Sequence, residues 1–429
     1  MNRQAFISLP VLIRFSSIMV CFFVINSCNP TYKISNQNLA ALYTPESNFL
    51  HPQFVVFHFS NDSSRLYVKL FSSELLHRKD DAGTMGAQVT ISYRLFNDFE
   101  SKFVVDSSSV IVNDFDESNS QGIFIHSLNF KTPGLVNYIL EAEVRDDFRQ
   151  QVVKSFIKVE KEGKQSAQKF LLKLTGQNIP LFRNYVKSDE SFNILPDDLT
   201  SHHMHVRCYF RNFPLAFPPF AEKVPVKFNY AADSIFTMEI SPSTNIQLPK
   251  RGIYHFQYDS TSKQGLTIFN WDDDFPKITD AMQLIEALRY LTTKQEYNDL
   301  LSAKDKKAAV DKYWLELSGN AERGKVLIRK YYSRIQDANR LFTSYLEGWK
   351  TDRGLIYTIY GPPSTVFKSG TTEDWTYGNF NTINSTTFTF EKIYNPFSDN
   401  DYILRRSPVY ETPWYKGVDR WRNGAVVND

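Results

Sequence analysis

The chain lacks the short signatures through which most catalytic sites announce themselves. It has no Gly-rich phosphate loop, no Gly-x-Ser-x-Gly elbow, no His-Glu-x-x-His and no CxxC. No enzymatic activity, cofactor or metal is therefore expected. Charge of one sign is also missing: 49 Lys and Arg stand against 47 Asp and Glu, a formal net charge of +2. That balance argues against nucleic acid as a partner and against an acidic lipid surface as the main attraction. Cysteine is nearly absent, with three residues in 429. The longest apolar run, from Phe15 to Ile25 and interrupted only by Ser16 and Ser17, falls short of the roughly 20 residues that cross a bilayer.

That run is better read as the apolar centre of a secretory signal. Arg3 precedes it, Arg14 closes its N-terminal side, and Ile25-Asn26-Ser27-Cys28 follows. The tetrapeptide resembles the bacterial lipobox, which implies cleavage after Ser27 and lipid on Cys28. Several acyl chains on one residue anchor a protein stably, where a single chain holds it only marginally. Loss of residues 1–27 removes two arginines and no acid, so the mature chain is neutral. It also removes Cys21, leaving Cys208 as the only unmodified thiol and no intramolecular disulfide. Stability must then come from packed cores, for which 35 Phe and 23 Tyr supply material.

Along the chain the hydrophobic period changes twice. Residues 28–50 are polar and turn-rich and are expected to form a tether. Residues 51–160 carry seven short alternating runs, Phe54 to Phe59, Leu66 to Leu70, Val89 to Leu95, Ser109 to Val112, Gly122 to Leu128, Asn137 to Val144 and Val152 to Val159. That spacing predicts an antiparallel, immunoglobulin-like β-sandwich. A second β-rich domain is expected over 165–275, with strands at Val206 to Phe210, Val226 to Tyr230, Ile235 to Ile240 and Ile253 to Tyr258; Pro214, Pro218 and Pro219 mark long loops. Over 280–347 the period becomes helical. Asp280 with Gln283, and Thr293 with Glu296, open two helices; Ser302 begins a third that stops at Gly319; a long fourth starts after Asn320 and ends at Gly348 as a left-handed cap. Residues 348–429 return to strands at Gly354 to Tyr360, Trp375 to Tyr377 and Thr386 to Ile393, a small α+β region. The expected fold is thus two N-terminal antiparallel β-sandwich-like domains, a helical segment and a small α+β C-terminal domain.

At the end of the long helix stands Gly348-Trp349-Lys350-Thr351-Asp352-Arg353-Gly354, followed by a run to Gly361-Pro362-Pro363 and by Asp374-Trp375-Thr376-Tyr377. With Tyr331, Ala338, Asn339 and Phe342 of that helix, these residues resemble the GWxTD domain, over roughly residues 280–429. The family consists of envelope proteins, many of them lipoproteins, best known from Bacteroidota, so the resemblance implies a compartment and brings no reaction with it. From the residues alone the heptad reads as architecture. Gly348 caps a helix, Trp349 plugs the gap between helix and sheet, Thr351 and Asp352 satisfy backbone donors in a tight turn, and Gly354 releases the chain into a strand. Asp352 and Arg353 are the competing candidates for a catalytic pair or ligand clamp; as neighbours on a turn they would point apart. The order helix, strand, Gly-Pro turn, Trp-x-Tyr strand and Phe-rich strand is also similar to a small lipoprotein of the β-barrel assembly machinery, which suggests a role in outer-membrane assembly or export.

Three further clusters invite chemistry. Ser201-His202-His203-Met204-His205-Val206-Arg207-Cys208 tempts one toward a metal, but on a strand Cys208 lies on the face opposite His203 and His205. Trp271-Asp272-Asp273-Asp274 lacks the spacing and glycine of a calcium loop. Trp414, Tyr415 and Trp421, interleaved with Lys416, Arg420 and Arg422, are either a docking surface for a protein or sugar, or core packing of the tail. The expected function is that of a non-enzymatic envelope lipoprotein, held to the membrane through Cys28 and binding a protein partner; the alternative is a glycan-binding or glycan-processing lipoprotein. Asn29, Pro30, Thr31, Tyr32 and Lys33 include no acid, which favours an outer-membrane anchor that faces the periplasm.

Overall fold

The computed structural model describes residues 32–428 except 46–47, 80–82, 115–121, 164–165, 224–227 and 380–384. The signal, Cys28 and the start of the tether lie outside these residues. Among the described residues no helix is long and apolar enough to cross a membrane. The sheets fill the N-terminal two-thirds, and helices with a small α+β region follow.

The alternating runs of the first domain become strands β1 (Gln53–His58), β2 (Ser63–Phe71), β3 (Arg78–Lys79), β4 (Met85–Phe96), β5 (Val104–Asp114), β6 (Ile123–Lys131), β7 (Tyr138–Asp146) and β8 (Gln151–Val159). β1, β2 and β6 form one sheet in that order. β3, β4, β7 and β8 form the other, with β5 also paired to β4. Because strand side chains alternate between faces, Leu66, Val68 and Leu70 of β2 meet Val89, Ile91 and Leu95 of β4 and Leu140 and Val144 of β7 in one core between the sheets.

The second β-domain holds β9 (Phe170–Leu174), β10 (Tyr185–Val186), β11 (Ser191–Pro196), β12 (His202–Tyr209), β13 (Ser234–Ile240), β14 (Ile246–Gln247), β15 (Gly252–Gln257) and β16 (Leu266–Asn270). Its five-stranded sheet runs β10-β16-β15-β12-β13 and its three-stranded sheet β14-β11-β9. The expected strand at Val226 to Tyr230 is not formed over 228–230, and the rest of it lies outside the described residues. Phe228 and Tyr230 instead join an aromatic cluster with Phe397 and Tyr345. β15 and β16 are buried at every position. One face of each packs inside the sandwich, while Ile253, Phe269 and Trp271 pack against Phe397 from the C-terminal region. Their polar residues are buried too and find partners, His255 with the Thr267 hydroxyl at 2.8 Å and Gln257 accepting from Arg207 at 2.9 Å.

The helices are α1 (Ala281–Leu288), α2 (Lys294–Ser302), α3 (Lys306–Ser318), α4 (Ala321–Phe342) and α5 (Asp352–Tyr360). Asp280 caps α1 by accepting from the amides of Met282 and Gln283, and Thr293 with Glu296 completes a capping box on α2. α3 starts at Asp305, later than the expected Ser302, and ends on Gly319 at φ +74°. A four-stranded antiparallel sheet follows, β17 (Thr365–Lys368), β18 (Thr372–Tyr377), β19 (Thr386–Lys392) and β20 (Tyr402–Leu404), then α6 (Glu411–Arg422).

Two further expectations fail here. The run Gly354 to Tyr360 is helix α5, not a strand. Its Leu-Ile-Tyr-Thr-Ile-Tyr composition favours a strand, but Thr351 accepts a hydrogen bond from the Gly354 amide and fixes a helical first turn. Since residues 352–359 are buried all round, no polar stripe reveals the helical period. The strand assumed in the likeness to the barrel-assembly lipoprotein is therefore a helix.

The second failure concerns the tether. Residues Ile34–Asn36 and Ala40–Tyr43 form short 3-10 turns, and Ile34, Leu39 and Tyr43 are buried. This segment lies along the free edge of β17. The Leu39 amide donates to the Val366 carbonyl at 2.8 Å, and the Val366 amide donates to Asn38 Oδ1 at 2.9 Å. Both backbone groups of an edge residue are thereby met. Tyr43 reaches further, its hydroxyl donating to the buried carboxylate of Glu373 while its carbonyl accepts from the Tyr357 hydroxyl at 3.1 Å. The polar composition of 28–50 concealed three apolar anchors. Tyr43→Phe, which keeps the ring and removes one donor from Glu373, should cost about 1–3 kcal/mol in a urea melt of the purified protein.

Candidate functional site: the buried heptad

All seven residues from Gly348 to Gly354 are buried. α4 ends at Phe342 with Thr343 turned to extended backbone, and the heptad opens with a 3-10 turn, Gly348–Lys350. Gly348 is therefore not a left-handed cap. Its necessity is one of space, since a Cβ there would lie 1.8 Å from the Ala338 carbonyl oxygen on α4. Gly354 is equally confined, a Cβ there falling 1.9 Å from the Gly348 carbonyl oxygen. The two glycines let the 3-10 turn lie directly on α4 and let α5 start on top of that turn. Side chains of α4 and its end hold the turn in place: the Gly348 amide donates to Thr343 Oγ1 at 3.0 Å, and the Trp349 amide to Asn339 Oδ1 at 3.3 Å. The Trp349 ring is fully enclosed, with the Lys350 ammonium 5.1 Å from its centroid.

Asp352 and Arg353 do point apart, each to a different buried partner. The Asp352 carboxylate accepts from Arg406 at 3.0 Å and from the Leu404 amide of β20 at 2.8 Å. Burial pushes its pKa up, against the pull of Arg406 in the other direction. Arg353 donates to Glu373 at 3.2 Å and to the Asn400 carbonyl at 2.9 Å, and stacks 4.1 Å above the Tyr402 ring. Glu373 is fully buried, with Lys368 3.5 Å away and Trp375 Nε1 donating to it at 2.7 Å. Burial alone would raise its carboxyl pKa, but Lys368, Arg353 and the donors Tyr43 and Trp375 outweigh burial and hold it at about 2. Trp375 itself stacks among Tyr43, Phe342 and Phe390.

The heptad's polar groups therefore grip three separate stretches of chain. Through Glu373, Arg353 holds the N-terminal segment at Tyr43. Through Arg406, Asp352 holds the irregular loop that follows β12, because Arg406 also donates to the Phe217 carbonyl at 3.1 Å. Lys350 contributes its carbonyl to the same loop, accepting from the Ala216 amide at 3.2 Å. Glu347, just ahead of the heptad, pairs with Lys350 at 3.3 Å and with Arg251, which precedes β15. At the far end of α5, Gly361 has φ +81°, its amide donates to the Tyr357 carbonyl, and its own carbonyl accepts from the Tyr377 hydroxyl at 2.8 Å. Pro362 is exposed beside it.

The other clusters resolve by their partners. On β12, Met204, Val206 and Cys208 pack into the core while His203 is exposed on the other face. Burial pushes the Cys208 thiol up to about 11. No group of three potential metal ligands occurs among the described residues. The aspartates after Trp271 anchor turns, with Asp273 accepting from Ser188 at 2.9 Å, Asp274 from Thr279 at 2.6 Å, and Asp272 paired with Arg251 at 3.3 Å. The aromatic tail is α6. Trp421 is fully buried and donates to the Ile359 carbonyl at 2.9 Å, Trp414 is nearly so, and Tyr415 is half exposed. Only Tyr415 of the three is left to a docking surface. Sequence reasoning missed Glu373, Arg406 and Tyr43, which lie outside the heptad along the chain; Glu373 stands next to another acid, Asp374, and nothing local showed which of the two is buried.

A turn locked between two helices by glycines and buried ion pairs is thus a structural module. The family model of the GWxTD domain matches residues 252–423. The match begins inside the second sheet, at β15, earlier than the helical segment alone would suggest; the outer faces of β15 and β16 are part of this module's packing. No curated protein matches the chain.

Asp352→Ala should destabilise by about 3–5 kcal/mol, because it removes the acceptor of both the buried Arg406 guanidinium and the Leu404 amide. Gly348→Ala should cost at least as much, since the offending atom is backbone; denaturant titrations check both. With acid the two carboxylates act in opposite senses. Glu373, held below its unfolded value, contributes stability that is complete above about pH 4.5 and lost as pH falls toward about 2. Asp352, held above its unfolded value, is relieved as it protonates. Net acid destabilisation that Glu373→Gln largely removes is the expected result of melts recorded from pH 6 to pH 2.

Proposed function

We propose that this chain is a non-enzymatic, lipid-anchored protein of the cell envelope, acylated on Cys28, and a protein-binding scaffold subunit of an outer-membrane-associated assembly or export complex. The observation that carries the reading is the fate of the heptad. Its acid, its two bases and its threonine are spent on holding chain segments together, as in a rigid platform, and not on presenting a reactive group. The GWxTD match supports the envelope assignment at the level of family resemblance. The absence of acids immediately after Cys28 supports a periplasm-facing anchor.

Ile34 is buried, and the segment it belongs to is bonded to both the first β-domain and the C-terminal module, the Ser35 amide donating to the Phe99 carbonyl at 3.0 Å and the Leu39 amide to the Val366 carbonyl at 2.8 Å. A glycan-binding or glycan-processing role remains the second reading, favoured by the half-exposed Tyr415 on α6.

Cys28→Ser should abolish labelling by an alkyne fatty acid and release the protein from the membrane fraction. Affinity purification of the native protein in several mild detergents should recover a stoichiometric protein partner; recovery of the chain alone in all of them would sink the scaffold reading. Cleavage by protease added to intact cells would overturn the periplasm-facing topology and promote the glycan reading. Trp349→Ala should lower the melting temperature before it affects partner recovery, as fits a structural tryptophan.

A further inference from the structure

We infer that the cleft between the Pro-rich loop after β12, the α1–α2 corner and α6 is a docking groove for an extended peptide that carries an aromatic or proline residue next to an acidic one. The inference rests on the scaffold reading above and names the surface and chemistry through which a protein partner would engage.

The first support is continuity with an interface the molecule already contains. Residues 213–220, Phe-Pro-Leu-Ala-Phe-Pro-Pro-Phe, form neither helix nor regular strand and lie as an extended strap along the C-terminal module. Backbone bonds fasten them, from the Ala216 amide to the Lys350 carbonyl, from Arg406 to the Phe217 carbonyl, and from the Ser407 amide to the Pro219 carbonyl at 3.1 Å. This module thus already binds one extended chain of proline and phenylalanine. Directly beside the strap is a cavity of about 830 Å³, walled by Phe217 and Phe220 of the strap, Tyr290 and Tyr297, and Trp414 and Tyr415 of α6. The Phe220 and Tyr415 rings are 5.5 Å apart, and Tyr415 remains 51% exposed at the rim. Aromatic-lined grooves of this kind suit extended, proline-bearing chains, whose ordering costs little entropy.

The second support is charge. Arg289 and Lys294 are exposed at the cleft, Arg422 is already paired with Glu296 at 2.8 Å, and Asp419 is the one acid in the lining. Lys294 also breaks a local rule. It occupies the first position of α2, where the helix dipole favours an acid and disfavours a cation. The complementary ligand is an acidic side chain close to the ring that fills the cleft.

The test is to pan a phage-displayed library of random 12-residue peptides on the full chain in detergent, and to measure a fluorescein-labelled consensus peptide by anisotropy. Enrichment of Pro, Phe, Tyr or Trp beside Asp or Glu is expected. Tyr415→Ala should weaken the consensus peptide about tenfold or more, as for an interface anchor. Lys294→Glu should weaken it at least about threefold while the melting temperature holds or rises, which a purely structural lysine would not do. No enrichment over the Tyr415→Ala protein, equal binding by both variants, or oligosaccharides occupying the cleft in place of peptide would overturn the proposal. Photo-crosslinking in cells from benzoylphenylalanine at position 415 separates the two levels. A complex that forms without crosslinking there removes the groove and spares the scaffold reading, whereas absence of any complex removes both; a crosslinked partner whose contact segment has the consensus chemistry supports both.

Discussion

A carboxylate fully removed from water, Glu373, sets the terms for the C-terminal module. A buried charge is costly unless its partners surround it, and here Arg353, Lys368, Tyr43 and Trp375 come from four different stretches of chain. Each must be in place for the others to be tolerated. Arg353 needs the first turn of α5, which needs the Thr351 cap and the glycine-permitted stacking of the 3-10 turn on α4. Tyr43 needs the N-terminal segment laid along β17. Packing around one ion group thus becomes a condition on overall connectivity, and that is a sharper specification than apolar burial alone supplies.

The heptad plays the same part for the junction between modules. Asp352 and Lys350 act on the strap from the second β-domain, and Glu347 acts on Arg251 at the start of β15. β15 and β16 are shared outright, with one face in the sandwich and the other against Phe397. The match to the GWxTD domain starting at residue 252 is consistent with a module that extends into the neighbouring sheet. Rigidity across this boundary is what a platform requires, since a partner held at α6 would then be fixed relative to the β-domains.

What was legible in the sequence followed from local periodicity. The seven alternating runs of the first domain are all strands, and the caps Asp280, Thr293, Gly319 and Asn320 all lie at helix ends. Legibility stopped where burial is complete or where partners are distant. α5 is buried all round and carries strand-forming residues, so neither period nor propensity identified it. The docking of residues 33–45 depends on β17, more than three hundred residues away, and no local pattern encodes that. For the heptad, its role in architecture was visible in its glycines and capping residues, while its actual geometry, a 3-10 turn leading into a helix, was not. The sorting of Trp414, Tyr415 and Trp421 into buried and exposed needed the face of α6 that only packing determines.

The Tyr43 contact has a bearing on the order in which the protein is put together. Its two ends are 330 residues apart in sequence. The N-terminal segment leaves the ribosome first, yet its berth on β17 and Glu373 exists only once nearly the whole chain has been made. Closing so long a loop is entropically unfavourable until the rest of the module has formed, so docking of this segment is a late event.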